Sequence, residues 1–207
     1  MSIVVEHDKR RREILERALD VFIDEGYEDA TFQKIADRCA ITRTTLYIYF
    51  KNKKEIFNWS IKQMMELVEE DLHSIKDNES MTTEEKLKKV LGIIIHRLEE
   101  HRKLLVVVLN YLMHISKSGT NPDSRVRRRT VRLRHILAGI VIDGIRKGDL
   151  PPMNVRLADD LLYNFIESAI YRLVVLRRES VGDIIHAMEF AVHTLACKDS
   201  RTGSTKD

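Results

Sequence analysis

The sequence predicts an all-α protein of nine helices, on two observations. The 207 residues include only 8 glycines and 3 prolines, and the prolines (Pro122, Pro151 and Pro152) lie between apolar-periodic segments. Within those segments the apolar residues recur at helical spacing, for example Ile14, Ala18 and Phe22. With 43% hydrophobic and 32% charged residues, the composition excludes a disordered chain. We therefore expect long helices joined by short loops.

Apolar stripes and capping residues place each helix. The predicted helices run over about 8–25, 32–39, 43–49, 53–74, 83–101, 103–116, 123 or 124 to 148, 155–177 and 181–198. The predicted N-cap residues are Thr31, Thr42, Asn52 and Asn154. Thr82 and Glu85 have the spacing of a capping box. Gly26 is placed to end the first helix in a left-handed C-cap.

Several classes of protein are disfavoured by what the sequence contains. The longest apolar runs, such as Leu104–Leu109, are too short to cross a bilayer, so we expect no membrane span. Met1–Arg12 is charged and without an apolar stretch, so we expect no signal peptide. The two cysteines, Cys39 and Cys197, suit neither a metal site nor a disulfide framework, and they favour the reducing cytoplasm.

Residues 32–50 have the pattern of a helix-turn-helix. Such a motif needs small and apolar residues where its two helices cross, and polar residues on the face toward the DNA groove. Ala36 is small at the expected crossing, and the apolar contacts would come from Ile35, Ile41, Leu46 and Tyr49. The polar residues at the start of the second helix are Thr42, Arg43, Thr44, Thr45 and Tyr47. The alternative is two packed helices of an ordinary bundle.

Positive charge is concentrated in the same part of the chain. Thr31–Lys54 contains six basic residues and one acid, a formal charge of +5, although the whole chain carries only +3. Lys9–Arg12 adds four consecutive positive charges, and acids cluster in Asp20–Asp29, which we expect on the far side. This distribution favours contact with phosphates of a nucleic acid.

Residues 35–57, IADRCAITRTTLYIYFKNKKEIF, resemble the TetR/AcrR family of transcription regulators. The resemblance covers about residues 10 to 57, and the rest of the chain matches only in helix number and lengths. The matching positions are Gly26-Tyr27, Ala30-Thr31, Ile35-Ala36, Ile41-Thr42, Thr45-Leu46-Tyr47, Tyr49-Phe50, Lys53 and Phe57.

The resemblance implies roles for individual residues. Base contacts are expected from Gln33, Arg43 and Thr44. Phosphate contacts are expected from Thr31, Thr42, Tyr47, Tyr49 and Lys53. Lys53 would also lie in the first turn of the fourth helix, where free N–H groups favour phosphate. For Tyr49, packing in the core is an equal alternative.

Two positions depart from the family pattern. Ala40 stands where many relatives have glycine, and a left-handed backbone there would cost about 1 kcal/mol, so a rearranged turn is one expectation. Ile48 replaces a residue that is commonly polar. Either one phosphate contact is missing, or Ile48 packs on a thymine methyl group.

The resemblance also implies a two-domain architecture. A three-helix DNA-binding domain would span 8–54 and a ligand-sensing and dimerisation domain 55–198, with the helix at about 53–74 bridging them and 199–207 as a flexible tail. Since two half-sites need two-fold symmetry, we expect a homodimer on double-stranded DNA. Helices 155–177 and 181–198 would form its interface, unless their apolar stripes serve only the intrachain core.

A small-molecule effector of unknown identity is expected in a cavity of the second domain, and no cofactor. Candidate pocket residues are His96, Tyr111, His114, His135 and Tyr163, each of which has an ordinary surface or core role as its alternative. Arg125–Arg134 contains six arginines, which form either a solvated surface paired with acids, or an anion site or a surface for a polyanionic partner.

We therefore expect a repressor that a ligand releases from a palindromic operator. One rival hypothesis is a helical scaffold whose basic N-terminus binds another acidic partner. The other is a helical enzyme with a metal or a cofactor. Glu70 and His73 have the spacing of one metal-binding pair, but the sequence has no second such pair. Because the sequence also lacks a phosphate-cradling glycine loop and a nucleophile motif, we expect neither catalysis nor a metal site.

Overall fold

The computed structural model describes residues 3–76, 78–117 and 124–197. The predicted tail, 199–207, lies outside these ranges. Within them the helices are α1 (Ile3–Asp29), α2 (Phe32–Arg38), α3 (Arg43–Tyr49), α4 (Lys53–Lys76), α5 (Thr83–Glu100), α6 (Arg102–Lys117), α7 (Ser124–Lys147), α8 (Val155–Val174) and α9 (Gly182–Ala196). The described residues contain no strand, so the predicted all-α class is confirmed.

The first helix differs most from its prediction. It begins at Ile3 instead of near Asp8, and it continues to Asp29 instead of stopping at Glu25. It bends at Gly26, where φ is 80° and ψ is 158°. This backbone conformation is open essentially to glycine alone. The predicted left-handed C-cap is wrong, because the positive φ is combined with an extended ψ. Counted on either side of the bend, the described residues hold ten helical segments, not nine.

Side-chain caps define most of the helix starts that the sequence predicted. Thr31, Thr42, Asn52 and Asn154 each accept a hydrogen bond from an N–H group in the helix that follows. At α5 the capping box is complete. The Glu85 N–H donates to Thr82 Oγ1 at 3.2 Å, and the Thr82 N–H donates to Glu85 Oε2 at 2.8 Å. These bonds satisfy N–H groups that would otherwise lack an intrahelical partner.

One compact unit, unit 1, comprises Met1–Leu67 and His101–Asp123. It contains α1, α2, α3, the first part of α4, and α6, which packs against α1. The buried core residues of this unit are Ile14, Leu15, Ala18, Val21, Phe22, Ala30, Ile35, Ala36, Leu46, Phe50, Ile56, Phe57 and Val107. Val107 shows that α6 contributes to the same core as the predicted helix-turn-helix.

A second compact unit, unit 2, comprises Val68–Glu100 and Ser124–Asp207. In it α5 packs against α7, α8 and α9. Fully buried side chains from all four helices fill its core: Leu87, Leu91, Ile95, Leu137, Val141, Leu162, Met188 and Val192. Gly144 permits the close approach of α7 to α5, since a Cβ there would lie 2.4 Å from Thr83 Cγ2.

These units are discontinuous in sequence, whereas the predicted functional domains, 8–54 and 55–198, are contiguous. The functional partition stays a prediction. Among the described helices, none is both long enough and apolar enough to span a membrane.

The turn between α2 and α3 keeps its left-handed residue although that residue is alanine. Ala40 has φ 53°, its N–H donates to Asp37 O at 3.0 Å, and the next N–H donates to Ala36 O at 3.1 Å. The turn is therefore not rearranged. The side chain of Ala40 destabilises it locally, because a left-handed backbone is unfavourable for a residue with a Cβ atom.

We expect Ala40→Gly to raise the free energy of unfolding by about 0.5–1 kcal/mol, because glycine adopts this backbone without strain. Urea unfolding measures the change. Ala36→Gly is the matched control: Ala36 is buried within α2, so its replacement should destabilise by about 1 kcal/mol. A loss of stability in Ala40→Gly would contradict the assignment of strain to this turn.

Candidate nucleic-acid interface

The short helix α3 has one buried face and one exposed face. Leu46 is fully buried in the core of unit 1. Arg43, Thr44, Tyr47 and Ile48 are exposed, Ile48 to 68%. Because buried Leu46 fixes the helix to the core, the exposed face has a defined orientation on the surface of unit 1. We call these four residues the α3 face.

The start of α3 is fixed by Thr42. Its Oγ1 accepts the Thr45 N–H at 3.0 Å and lies 2.8 Å from Thr45 Oγ1. Both hydroxyls are thus engaged with each other at the helix start. Thr42 remains exposed, so a phosphate can reach it, but the predicted phosphate contact has to coexist with the cap.

The arginine of the α3 face lies along the helix. Arg43 Nη2 donates to the Tyr47 hydroxyl at 3.1 Å, and its guanidinium carbon is 5.6 Å from the centre of the Tyr47 ring. The ring in turn packs against Phe32 at 4.7 Å between centroids. A guanidinium has five N–H donors, so Arg43 can lean on Tyr47 and still offer a pair of donors to a base edge.

Two predicted contacts lie on or before α2, and both residues are exposed. Thr31 caps α2 by accepting the Lys34 N–H at 3.2 Å. Gln33 Nε2 donates to Asp37 Oδ1 at 2.7 Å. Gln33 therefore has to leave this partner, or share its amide, in order to read a base.

Two acids of α1 lie beside α2, whereas the sequence placed the acids of Asp20–Asp29 on the far side. Glu25 pairs with Lys34, and Asp24 pairs with Arg38 Nη2 at 2.8 Å. Hydrogen bonding to Asp24 raises the pKa of Arg38. Two of the six basic residues in 31–54 are therefore paired with acids, and the formal charge of +5 overstates the positive charge that this segment presents to DNA.

A match to a known family identifies the type of protein to which this helix-turn-helix belongs. Residues 14–58 match the model of bacterial regulatory proteins of the tetR family. The chain is a TetR-family regulator. The matched segment runs from the first core residue of α1 into α4 and contains the whole α3 face.

Longer relatives agree with this assignment. The fatty acid metabolism regulator protein of Bacillus subtilis is 27% identical over 163 residues, which are 76% of this chain and 80% of the relative. The transcriptional repressor KstR2 of Mycolicibacterium smegmatis is 28% identical over 160 residues, covering 76% and 74% of the two chains. The first relative is named a regulator protein and the second a transcriptional repressor, and this chain is likewise a DNA-binding transcription regulator and not an enzyme.

A solved structure supports the fold over nearly the whole length. The ketosteroid transcriptional regulator KstR2 of Mycobacterium tuberculosis superposes with a TM-score of 0.70 and 21% identity, covering 91% of this chain and 96% of that one. The likeness therefore extends beyond the short segment that carried the resemblance in the sequence.

Within this TetR-family chain, Lys53 has a structural role that the sequence did not suggest. Its Nζ donates to Tyr27 O at 2.8 Å and to Glu28 O at 2.6 Å, and it lies 4.9 Å from the centre of the Tyr27 ring. The lysine thus joins the first residue of α4 to the end of α1. One of its three N–H donors remains for a phosphate.

We expect Lys53→Ala to lower the free energy of unfolding by about 1–2 kcal/mol, since two carbonyl groups lose a charged donor near the surface. It should also reduce the slope of log affinity against log salt by about 0.9. Lys54→Ala, one residue on and exposed, is the control and should leave stability within about 0.5 kcal/mol. Urea unfolding and DNA titrations at several salt concentrations measure both. An unchanged salt slope for Lys53→Ala would remove this residue from the phosphate contacts.

Tyr49 packs against α1, while its phosphate contact stays a prediction. It is half-buried, and its ring stacks on His7 with 4.7 Å between centroids. The side chain therefore packs against α1 and still reaches the surface.

Arg11 has a positioning role that its place in the basic run Lys9–Arg12 did not suggest. Its guanidinium carbon lies 4.0 Å from the centre of the Trp59 ring and 5.0 Å from that of Phe50. Nη2 donates to Tyr49 O, the last residue of α3, at 3.3 Å. Arg11 thus ties α1 and α4 to the end of α3. Its position four residues before Leu15, on the apolar stripe of α1, was the available signal.

The predicted ligand residues are divided between the two units. In unit 1, Tyr111 packs on Tyr27 and Phe57, with ring centroids at 4.7 Å and 4.9 Å, and exposed His114 lies 3.9 Å from Glu28. Burial, with Tyr111 nearby, raises the pKa of Tyr27 to about 12. Tyr111 is thus part of an aromatic core cluster.

In unit 2, His96 is exposed beside Glu100 at 3.3 Å, and His135 is also exposed. Tyr163 is half-buried, and its ring lies 5.2 Å from the Arg134 guanidinium carbon. Burial raises the pKa of Tyr163. The five predicted pocket residues therefore belong to different units, two to unit 1 and three to unit 2. The effector pocket stays a prediction.

Part of the arginine run has a structural explanation. Arg134 Nε donates to Asp159 Oδ2 at 2.8 Å, and its Nη2 pairs with Asp160. The side chains of residues 124–129 lie outside the described part of the chain. An anion site in this run therefore stays a prediction.

No cluster of three metal-ligating side chains occurs where the structure describes the side chains. The side chains of Glu70 and His73 are not among those described. The absence of a metal site is thus still an expectation from the sequence.

Proposed function

We propose that the chain is a repressor that binds a palindromic operator as a homodimer and is released by a small-molecule effector. The observation that carries this proposal is the α3 face, in which Arg43, Thr44 and Tyr47 are exposed on a helix anchored by buried Leu46. A recognition helix needs this combination, because base edges are read by its exposed N-terminal residues. The related KstR2 protein is named a transcriptional repressor.

The last two helices supply the argument for a homodimer. Their inward faces are already filled by buried residues such as Leu162, Ile166, Met188 and Val192. Large apolar side chains nevertheless remain exposed at Leu157, Leu161, Tyr171, Val175, Leu176 and Phe190. These residues are therefore not needed for the intrachain core, and an apolar surface of this extent favours coverage by a second copy.

The names of the relatives guide the choice of effector. One regulates fatty acid metabolism, and another is a ketosteroid transcriptional regulator. We propose that the effector of this chain belongs to the same broad class of lipid-derived metabolites. By binding more tightly to one conformation of the dimer, it would change the separation of the two α3 helices and lower DNA affinity. Two free cysteines favour the reducing cytoplasm as its location.

Selection of bound duplexes from a random pool tests the proposed function. We expect a palindrome whose half-sites lie about 10–10.5 base pairs apart, or a multiple of that spacing. Binding should persist against competitor DNA and fall steeply with salt. In transcription from a promoter that contains the selected site, the protein should reduce transcript yield, and acyl or steroid metabolites should restore it.

A different experimental result would contradict each part of the proposal. A pool without enrichment would favour the scaffold hypothesis over a DNA-binding regulator. An enriched site without internal symmetry would contradict the homodimer. Increased transcript yield would make the protein an activator.

A further inference from the structure

A thiol, an imidazole and a carboxylate form a chain of contacts on the surface of unit 2. Cys197 Sγ lies 3.8 Å from His193 Nε2, and His193 Nδ1 lies 3.0 Å from Glu84 Oε1. Lys88 Nζ donates to the same Glu84 oxygen at 2.6 Å. We call Cys197, His193 and Glu84 the thiol relay. It joins the end of α9 to the first turn of α5, and DNA recognition by α3 does not use it.

The hydrogen-bonding roles within the relay follow from the carboxylate. Hydrogen bonds from Lys88 and from His193 lower the pKa of Glu84, so this group is ionised and can only accept. The proton between the two groups therefore belongs to His193 Nδ1. The lone pair of Nε2 then faces the Cys197 thiol, as a base must in order to take its proton.

The thiol is accessible as well as oriented. Cys197 is exposed and follows the last residue of α9, where its own N–H donates to His193 O at 3.0 Å. The other cysteine provides a contrast within the same chain. Cys39 is half-buried, and burial raises the pKa of its thiol.

We infer that Cys197 is a modification site for soft electrophiles, specifically α,β-unsaturated carbonyl compounds, with His193 as its base and Glu84 as the residue that positions His193. Sγ forms a bond to the β-carbon of the alkene while Nε2 takes the thiol proton. The π pair of the C=C bond moves to the α-carbon as an enolate, which then takes a proton from the imidazolium. The product is a neutral thioether, and no oxidant or further reactant is needed.

This class of reagent needs only the groups that the site supplies. Addition to an activated alkene consumes a thiol and returns its proton to the product, and His193 carries that proton between the two steps. Thiolate attack is also the step that a neighbouring base accelerates most directly.

Alkylation by N-ethylmaleimide tests the inference on the 207-residue chain. The rates at Cys197 and Cys39 are followed separately by mass spectrometry of the digested protein at pH 7. We expect Cys197 to react at least about tenfold faster than in the same protein unfolded by guanidinium. His193→Gln should remove this acceleration, and Glu84→Gln should remove part of it. Cys39 should react more slowly in the folded protein than in the unfolded one.

A pH comparison separates a base from a merely structural histidine. The titratable side chains that meet at the relay are Glu84 and Lys88 on α5 and His193 and Cys197 at the end of α9. At about pH 10 a free thiol ionises without help, so wild type and His193→Gln should react at equal rates. A difference that persists at pH 10 would mean that the substitution changes access to the thiol, and it would overturn the inference. So would a Cys197 that reacts no faster at pH 7 than in the unfolded chain, including one shielded by a second copy.

Discussion

Phe190→Glu is expected to convert the protein to a monomer and to lower its affinity for operator DNA by a factor of about 10²–10⁴. Phe190 lies on α9 and is 73% exposed, so a charge there does not disturb the fold of a single chain. In the proposed dimer the same position is covered by apolar side chains, where an unpaired carboxylate is costly. A monomer engages one half-site at a time and loses the gain from simultaneous binding. Sedimentation velocity and DNA titration measure the two effects.

The matched control for this substitution is Ile142→Glu. Ile142 is also a large exposed apolar residue of unit 2, at 51%, but it lies on α7. This variant should remain dimeric and bind DNA with unchanged affinity. If Phe190→Glu stays dimeric at concentrations where wild type does, the interface is not built from α9.

Arg43→Ala is expected to weaken specific DNA binding by about 1–3 kcal/mol and to relax the preference at one base pair. The reason is the position of the guanidinium on the α3 face, where Tyr47 supports it and no acid neutralises it in the contacts described. A bidentate contact of this kind discriminates among bases. Titrations of the selected operator and of single-base-pair variants of it measure both the loss and the relaxation.

Arg38→Ala is a suitable control for the loss of one positive charge. Arg38 is already paired with Asp24, so its removal should change affinity little and uniformly. If Arg43→Ala weakens binding equally on every duplex, Arg43 contacts phosphate only. In that case the base-reading role would pass to Thr44 or Gln33.

The helices were predictable because local signals define them. Thr42 and Asn52 cap their helices in the structure as the sequence indicated, since an N-cap bond involves residues three apart in the chain. The apolar spacing of Ile14, Ala18 and Phe22 likewise identified the buried face of α1. Such contacts depend on little beyond the helix itself.

The placement of α6 and the bend at Gly26 were not predictable in the same way. The run Leu104–Leu109 is apolar on every side, so its pattern does not say which neighbour Val107 will meet. A glycine at position 26 predicts a positive φ, but its ψ depends on how the residues that follow pack in the folded chain.

In the candidate site, too, the features set by local sequence were predictable and those set by helix packing were not. The sequence predicted the exposed residues of α3, since they follow from the position of Leu46. It did not predict that Lys53 binds two carbonyl groups of α1, or that Asp24 and Glu25 pair with α2. These partners are 9 to 26 positions apart in the chain, and their meeting depends on how whole helices pack.

The contact between Arg11 and Trp59 has a practical consequence. Trp59 is the only tryptophan of the chain, and the cation of Arg11 lies directly against its indole. The same guanidinium binds the carbonyl at the end of α3. The tryptophan fluorescence of this protein, excited at a wavelength where its six tyrosines do not absorb, therefore comes from one indole beside the arginine that binds the end of α3. Its emission spectrum can report the engagement of that helix without an attached dye.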